Sequence, residues 1–152
     1  MKTVLFVCTG NTCRSPMAEA IARFQVEAGK IGQDHGKIFV ISAGTSASDG
    51  ALVSNEAIQT LKRMGIAHDG RSKRLTSQMV RAADIVFGMT ASHVKQARDL
   101  VAGEKQQVAK IHALDECGDV WDPIGLGDVA YDRIAAEFME LIPRRLSEVL
   151  AR

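Results

Sequence analysis

The sequence is poor in the features of nucleic-acid-binding, membrane and disulfide-stabilised proteins. Its 19 basic and 18 acidic side chains give a net charge of +1 with no basic stripe, which argues against a nucleic-acid partner. No run of 18 apolar residues is present, and a strand pattern occupies the first residues, so neither a membrane span nor a signal peptide is predicted. The three cysteines make no disulfide framework. Two of them flank one short loop, which indicates reactive thiols in a reducing, cytoplasmic compartment.

The sequence does contain a regular alternation of strand and helix patterns. Apolar, β-branched runs predict four strands, at residues 3–7, 37–43, 84–89 and 108–114. Helical spacing of apolar residues predicts helices at residues 17–28, 55–64, 92–101 and 128–150. Pro143 should kink or divide the last helix. The alternation predicts a single α/β domain over residues 1–152, with a doubly wound, four-stranded parallel sheet and helices on both faces. We expect a monomer.

The end of the first predicted strand resembles an anion-binding turn. Cys8 ends the strand, and Arg14 follows after five intervening residues, just before Ser15-Pro16 and a helix. Backbone N–H groups in such a turn and the positive end of the helix both favour an anion. Gly10 and Asn11 tolerate left-handed backbone angles, so the N–H groups of the loop can point inward. Ser15 is expected to cap the helix, because its hydroxyl can accept a backbone N–H.

Cys8 and Arg14 supply the chemistry that suits a phosphoryl group. The planar fork of Arg14 can hold two phosphate oxygens at once. The positive potential of the loop should favour the thiolate form of Cys8, and a thiolate facing a phosphoryl group is a nucleophile. A cysteine after a buried strand is often only a small core residue, and this spacing alone is common by chance. Here the strand, the Gly-Asn turn and the helix all agree with the phosphate-loop interpretation.

A carboxylic acid is needed to protonate the leaving atom and then to activate water. Asp122-Pro123 lies in a glycine-rich segment before the last helix, and Pro123 stiffens the backbone there. Asp-Pro is also a common turn dipeptide. From the residues alone, three neighbouring acidic side chains compete for this role, namely Asp115, Glu116 and Asp119.

The segment from Val7 to Ala20 resembles the signature of the low-molecular-weight protein tyrosine phosphatases. The resemblance continues at Ser42-Ala43-Gly44, at residues 83–90 and at Asp122-Pro123, and so spans nearly the whole chain. It implies a flavodoxin-like fold of the phosphotyrosine phosphatase I type. It also implies a phosphocysteine mechanism without metal or cofactor, a phosphorylated protein as partner, and Asp122 as the acid.

The same resemblance implies roles for the loop residues. Ser15 is expected to donate a hydrogen bond to the sulfur of Cys8, and Asn11 to hold the loop with Ser42 as its partner. Cys13 is expected to form a reversible disulfide with the nucleophile, whereas Cys117 has no assigned role. The expected substrate-binding residues are Thr9, Gly10, Asn11, Thr12, Cys13 and Ser15.

Three positions bear on the substrate. Thr12 stands where tyrosine-specific members typically have an aliphatic residue, and it resembles the branch that hydrolyses protein phosphoarginine. Ile124 stands where tyrosine-specific members usually place an aromatic residue and arginine-specific members often have Phe. Gly70 replaces a His of many relatives. Protein phosphoarginine is therefore the predicted substrate and phosphotyrosine the alternative. Arsenate reduction and non-catalytic phosphate binding are disfavoured, because a cysteine relay is lacking and a nucleophile and an acid are both present.

Overall fold

The computed structural model describes residues 1–31, 34 and 36–151. Its sheet has four strands, β1 (Lys2–Cys8), β2 (Ile38–Gly44), β3 (Ile85–Gly88) and β4 (Ile111–Ala113). All neighbouring strands are parallel, and the order is β2-β1-β3-β4. The described helices are α1 (Arg14–Glu27), α2 (Asn55–Arg63), α3 (Ser77–Ala82), α4 (Ala91–Asp99), α5 (Lys105–Val108) and α6 (Asp128–Leu150).

Helices cover both faces of the sheet, as the sequence predicted. Successive residues of β1 point to opposite faces. Val4 and Phe6 belong to one core cluster, with side chains of α1, α2 and α6, whereas Leu5 and Val7 belong to a second, with side chains of α3 and α4. The central strand β1 is therefore buried on both sides and ends at Cys8. No helix in the described part of the chain is long and apolar enough to span a membrane.

Three details of the secondary structure differ from the prediction. Helix α1 has Cys13 as its N-cap residue, so the prediction that Ser15 caps it is wrong. Ser15 lies within the first turn instead, with its side chain fully buried. The predicted fourth strand at residues 108–114 is too long, because Val108 ends the short helix α5 and only Ile111–Ala113 pair with β3. Helices α3 and α5 were not predicted, since six and four residues are too few to show a helical period.

Pro143 does not divide the last helix. Helix α6 runs without interruption from Asp128 to Leu150 with Pro143 inside it. Ile142 and Leu146, on either side of the proline, are both fully buried. This packing offsets the backbone hydrogen bond that proline cannot make.

Candidate active site

Residues 8–14 form a tight loop between the central strand β1 and helix α1. Asn11 in this loop has φ of 55°, the left-handed region that asparagine tolerates. Its buried side-chain amide holds this conformation. Oδ1 accepts the backbone N–H of Lys73 at 2.9 Å, and Nδ2 donates to Ser15 Oγ at 2.8 Å and to Ser42 Oγ at 2.9 Å. The structure thus brings Asn11 and Ser42 together, as the resemblance implied.

Gly44 explains why the Ser42-Ala43-Gly44 motif accompanies the loop. A Cβ at position 44 would lie 2.4 Å from the carbonyl oxygen of Thr9 and 2.9 Å from the backbone nitrogen of Asn11. The next two backbone N–H groups, of Thr45 and Ser46, donate to the carbonyls of Cys8 and Thr9, each at 2.9 Å. The end of β2 therefore supports the loop by direct backbone contact, which a larger residue at position 44 would prevent.

The sulfur of Cys8 lies at the base of this loop and contacts Ser15. The Cys8 Sγ to Ser15 Oγ distance is 2.8 Å, and Cys8 is 1% exposed. Because Ser15 Oγ already accepts an N–H from Asn11, the hydroxyl proton of Ser15 is available to the sulfur. Such a donor stabilises a thiolate better than a thiol. Ser15 therefore has the predicted contact with Cys8, although it is not the helix cap.

Arg14 connects the loop to the segment that carries Asp122. Its Nη1 donates to the carbonyl oxygen of Val120 at 3.0 Å, and Nη2 lies 3.7 Å from Asp122 Oδ2. The Nε atom of this buried side chain has no hydrogen-bond partner among the described residues. Since a buried donor without a partner is costly, a bound anion would satisfy this N–H.

The structure distinguishes Asp122 from the three acidic residues that competed with it. Asp115 Oδ1 accepts the backbone N–H of Cys117, and Asp119 Oδ1 accepts that of Ala91, both at 2.9 Å. Glu116 forms ion pairs with two arginines of helix α6. Asp122 is the member of the four that pairs with Arg14, and its side chain is 45% exposed. Its Oδ1 accepts the N–H of Ile124 at 3.0 Å, which orients the side chain.

Cys13 is the residue of this loop whose sulfur faces the segment that carries Asp122 (residues 119–124, the acid segment). Its buried Sγ is 3.9 Å from Asp122 Oδ1. Burial, followed by the negative charges of Cys8 and Asp122, raises the pKa of Cys13 to about 11. Cys13 is therefore a thiol at neutral pH. Cys117 is exposed, and its backbone N–H is bonded to Asp115.

The rim of the site combines polar and apolar side chains. Thr12 is partly exposed, and its Oγ1 would lie 3.5 Å from a Cβ added at Gly10. Its hydroxyl is therefore close to the backbone of residues 8–14, the candidate phosphate loop. Trp121 and Ile124 flank Asp122 in sequence and expose 39% and 60% of their surface.

Glu19 and His68 were not predicted as part of the site. Glu19 is 6% exposed, and its Oε1 accepts the hydroxyl of Ser42 at 2.8 Å. His68 Nδ1 lies 3.7 Å from Glu19 Oε2. The His68 ring also packs over Gly70, since a Cβ there would be 2.9 Å from His68 Nε2. A histidine two positions upstream thus occupies the space beside Gly70.

His93 is the second contact that the sequence did not predict. It is 3% exposed, and its Nε2 lies 2.8 Å from Thr9 Oγ1 in the phosphate loop. His93 belongs to a capping box with Thr90 at the start of α4. A polar N-cap followed three residues later by a residue that bonds back is a recognisable pattern. This capping box was missed in the sequence because its third helical residue is histidine, where the usual residue is Glu or Gln.

Residues 3–152 match the family described as low molecular weight phosphotyrosine protein phosphatase. The protein-arginine-phosphatase of Bacillus subtilis (strain 168) is 36% identical over 156 residues, which cover 98% of this chain and 97% of the relative.

Two solved structures resemble the whole fold. The low molecular weight protein tyrosine phosphatase from T. tengcongensis is 38% identical with a TM-score of 0.83, covering 97% of this chain and 99% of its own. A mutant of the YwlE arginine phosphatase, with a cysteine-to-serine replacement and a phosphorylated active site serine, is 31% identical with a TM-score of 0.85, covering 97% and 95%. Arginine and tyrosine phosphatases thus match at similar identity. The chain belongs to the low molecular weight phosphotyrosine protein phosphatase family and is a protein phosphatase.

Proposed function

We propose that this phosphatase hydrolyses protein phosphoarginine through a phosphocysteine formed on Cys8. The observation that carries the proposal is the position of Arg14. It belongs to the loop that starts at Cys8, it contacts Asp122, and it keeps one buried N–H without a partner among the described residues. A nucleophile, an anion-binding fork and an acid therefore meet at the carboxyl end of the central strand, where ligands of such folds bind. The YwlE mutant with a phosphorylated active site serine supports a covalent intermediate.

In the first step the sulfur of Cys8 attacks phosphorus. The S–P bond forms as the P–N bond of phosphoarginine breaks, and protonated Asp122 gives its proton to the departing nitrogen. The loop N–H groups and the free Nε–H of Arg14 hold the phosphoryl oxygens as their charge is redistributed.

In the second step water attacks the phosphocysteine. The carboxylate of Asp122 takes a proton from this water, the S–P bond breaks, and phosphate and the Cys8 thiolate are released. Ser15 stabilises that thiolate as a leaving group through its 2.8 Å contact with the sulfur.

The rim favours a guanidinium as the leaving group. A guanidinium is planar, cationic and rich in donors. It therefore gains from the Thr12 hydroxyl and from the half-exposed side chain of Asp122, which becomes a carboxylate as it gives its proton to the leaving group. The similarity to the protein-arginine-phosphatase of Bacillus subtilis supports this choice. Phosphotyrosine is the second candidate, because the exposed Trp121 and Ile124 offer apolar surface to a phenol ring.

Exchange of Thr12 for isoleucine tests the substrate. Both residues are β-branched, so the backbone should tolerate Thr12→Ile. We expect wild type to prefer phosphoarginine and the variant to shift the ratio of kcat/KM values about tenfold toward phosphotyrosine, because a polar contact is lost and an apolar one gained. The measurement is turnover of matched phosphoarginine and phosphotyrosine peptides at equal concentration.

Thr12→Val is the matched control for this exchange. Valine keeps the shape of threonine but has a methyl group in place of the hydroxyl, so it should lose phosphoarginine activity and gain less phosphotyrosine activity than Thr12→Ile does. A wild-type preference for phosphotyrosine, or an unchanged ratio in Thr12→Ile, would assign the enzyme to phosphotyrosine.

Cys13 is expected to protect Cys8 against irreversible oxidation. Peroxide converts the Cys8 thiolate to a sulfenic acid, and attack by the Cys13 sulfur would then form a disulfide and release water. Because burial raises the pKa of Cys13 to about 11, this capture should accelerate as the pH rises. In Cys13→Ser, less activity should return with a thiol reductant after peroxide treatment. Cys117→Ser, which changes an exposed thiol, is the control, and equal recovery in all three proteins would contradict the protective role.

We also propose that the enzyme acts as a monomer in a reducing, cytoplasmic compartment. Cys8, Cys13 and Cys117 are free thiols in the structure. The proposed reaction needs Cys8 as a thiolate, so a compartment that oxidises thiols would inactivate it.

A further inference from the structure

We propose that His93 is a positioning residue, which fixes the hydroxyl of Thr9 in the phosphate loop by donating a hydrogen bond from its Nε2–H. The two atoms are 2.8 Å apart, although the residues are 84 positions apart in sequence. Thr9 follows the nucleophile Cys8 directly. The proposal rests on the proposed function of that loop, and it adds a residue of helix α4 that the loop depends on.

The hydrogen bonds of His93 determine which ring nitrogen carries the proton. Nδ1 accepts the backbone N–H of Thr90 at 3.1 Å. It also lies 3.1 Å from Thr90 Oγ1, whose hydroxyl proton can be donated to Nδ1 because this oxygen accepts the backbone N–H of His93. Because a backbone N–H can only donate, Nδ1 has no proton, and in the neutral ring the proton is on Nε2. Nε2 therefore donates and Thr9 Oγ1 accepts. The hydroxyl proton of Thr9 is then left to donate elsewhere, on the exposed side of the loop.

The turn that holds His93 also holds the segment with the acid. The backbone N–H of Val120 donates to the carbonyl of Met89 at 2.8 Å, and Ala91 N–H donates to Asp119 Oδ1 at 2.9 Å. Val120 in turn accepts the hydrogen bond from Arg14. The turn of residues 89–93 thus contacts the acid segment through its backbone and the phosphate loop through His93. Loss of the His93 contact would free the phosphate loop from a turn that still holds the acid.

Close packing leaves His93 little freedom to change partner. A Cβ at Gly88 would lie 3.1 Å from His93 Cβ and 2.9 Å from the backbone nitrogen of Val94. Glycine at the end of β3 therefore lets the start of α4 approach the sheet. His93 is held in one orientation, because the residue is 3% exposed and both ring nitrogens are hydrogen-bonded.

The charges around His93 keep its ring neutral. Arg14 faces it from helix α1, and Asp119 and Asp122 face it from the acid segment. Burial, followed by the charge of Arg14, lowers the pKa of His93 to about 4, against the smaller opposing effect of the two carboxylates. In the unfolded chain the His93 ring binds a proton as the pH falls through about 6.5, whereas in the native protein the ring stays neutral until about pH 4. The free energy of unfolding should therefore fall as the pH is lowered from about 6.5 toward 4, and fall less in a variant without this histidine.

A double-mutant cycle between His93→Asn and Thr9→Val tests the contact. The asparagine oxygen can replace Nδ1 as acceptor for Thr90 N–H, but asparagine has no atom in place of Nε2. Thr9→Val replaces only the hydroxyl, by a methyl group of similar size. For hydrolysis of para-nitrophenyl phosphate we expect each variant to lose roughly three- to tenfold in kcat/KM, the size of one hydrogen bond. The loss of kcat/KM in the double variant should be no larger than the loss in the less active of the two single variants, because both changes remove the same contact.

Two further measurements separate positioning from a purely structural role. His93→Gln carries an N–H₂ group long enough to reach Thr9, so it should recover part of kcat/KM relative to His93→Asn. Binding of inorganic phosphate, followed by the fluorescence of Trp121, reports the loop without turnover. The variants should bind phosphate more weakly while their thermal unfolding midpoints stay close to wild type. Absence of turnover in wild type would refute the proposed function, whereas weaker phosphate binding would still report the contact.

The proposal would be overturned by losses that multiply in the double variant, or by a His93→Gln protein as slow as His93→Asn. The proposal would also be overturned, without any other result, if Thr9→Val had the same kcat/KM and the same affinity for phosphate as wild type. That variant leaves the cap of α4 intact, so it decides the question even if the His93 variants fail to fold.

Discussion

Cys8→Ser is expected to lower turnover of every phosphorylated substrate by at least about 10³-fold. The serine hydroxyl is a far weaker nucleophile than a thiolate at neutral pH. The loop should keep its shape in this variant. Asn11, Ser15 and Ser42 hold it through hydrogen bonds of 2.8–2.9 Å that do not involve the sulfur. Phosphate binding should therefore persist while the reaction stops.

Both halves of this expectation can be measured on one protein. Trp121 is the single tryptophan and lies next to Asp122, so its fluorescence can report binding of inorganic phosphate at the site. Cys117→Ser provides the control, because it removes an exposed thiol outside the phosphate loop. Substantial turnover by Cys8→Ser would refute the phosphocysteine mechanism. Lost phosphate binding would show instead that the sulfur is needed to hold the loop.

The parts of the site that lie close together in sequence could be predicted from it. Cys8 and Arg14 are in one seven-residue segment whose strand, turn and helix patterns are all local. The order of strands and helices follows from the same periodicities. Pro143 shows where a local rule fails, since buried neighbours on both sides keep α6 continuous despite the proline.

The parts that depend on distant contacts could not be predicted. His93 meets Thr9 across 84 positions, and Asn11 meets Lys73 across 62. Glu19 lies on a helix where a charged residue would ordinarily face water, and only the fold shows that Ser42 and His68 approach it. Asp122 is an intermediate case. The residues left four acidic candidates, the resemblance selected one, and the contact with Arg14 now supports that choice.

Asp122→Asn is expected to slow the enzyme according to the leaving group. Asparagine has no carboxylic proton to give, so a substrate whose leaving group is strongly basic should lose about 10²- to 10⁴-fold in kcat/KM. The guanidine of phosphoarginine is such a group. The nitrophenolate of para-nitrophenyl phosphate departs without a proton, so its kcat/KM should change little. Asparagine has nearly the shape of aspartate, and its Oδ1 can still accept the N–H of Ile124, which keeps the segment in place.

The same variant should expose the second step of the reaction. The asparagine side chain cannot take a proton from the attacking water, so phosphocysteine should accumulate and para-nitrophenyl phosphate should give a burst of nitrophenol followed by slow turnover. Rapid mixing measures the burst, and its amplitude should approach one nitrophenol per enzyme. Asp115→Asn, a change in an acidic residue bonded to Cys117 and not to Arg14, is the matched control. An equal loss of kcat/KM for both substrates, without a burst, would remove Asp122 as the acid and base.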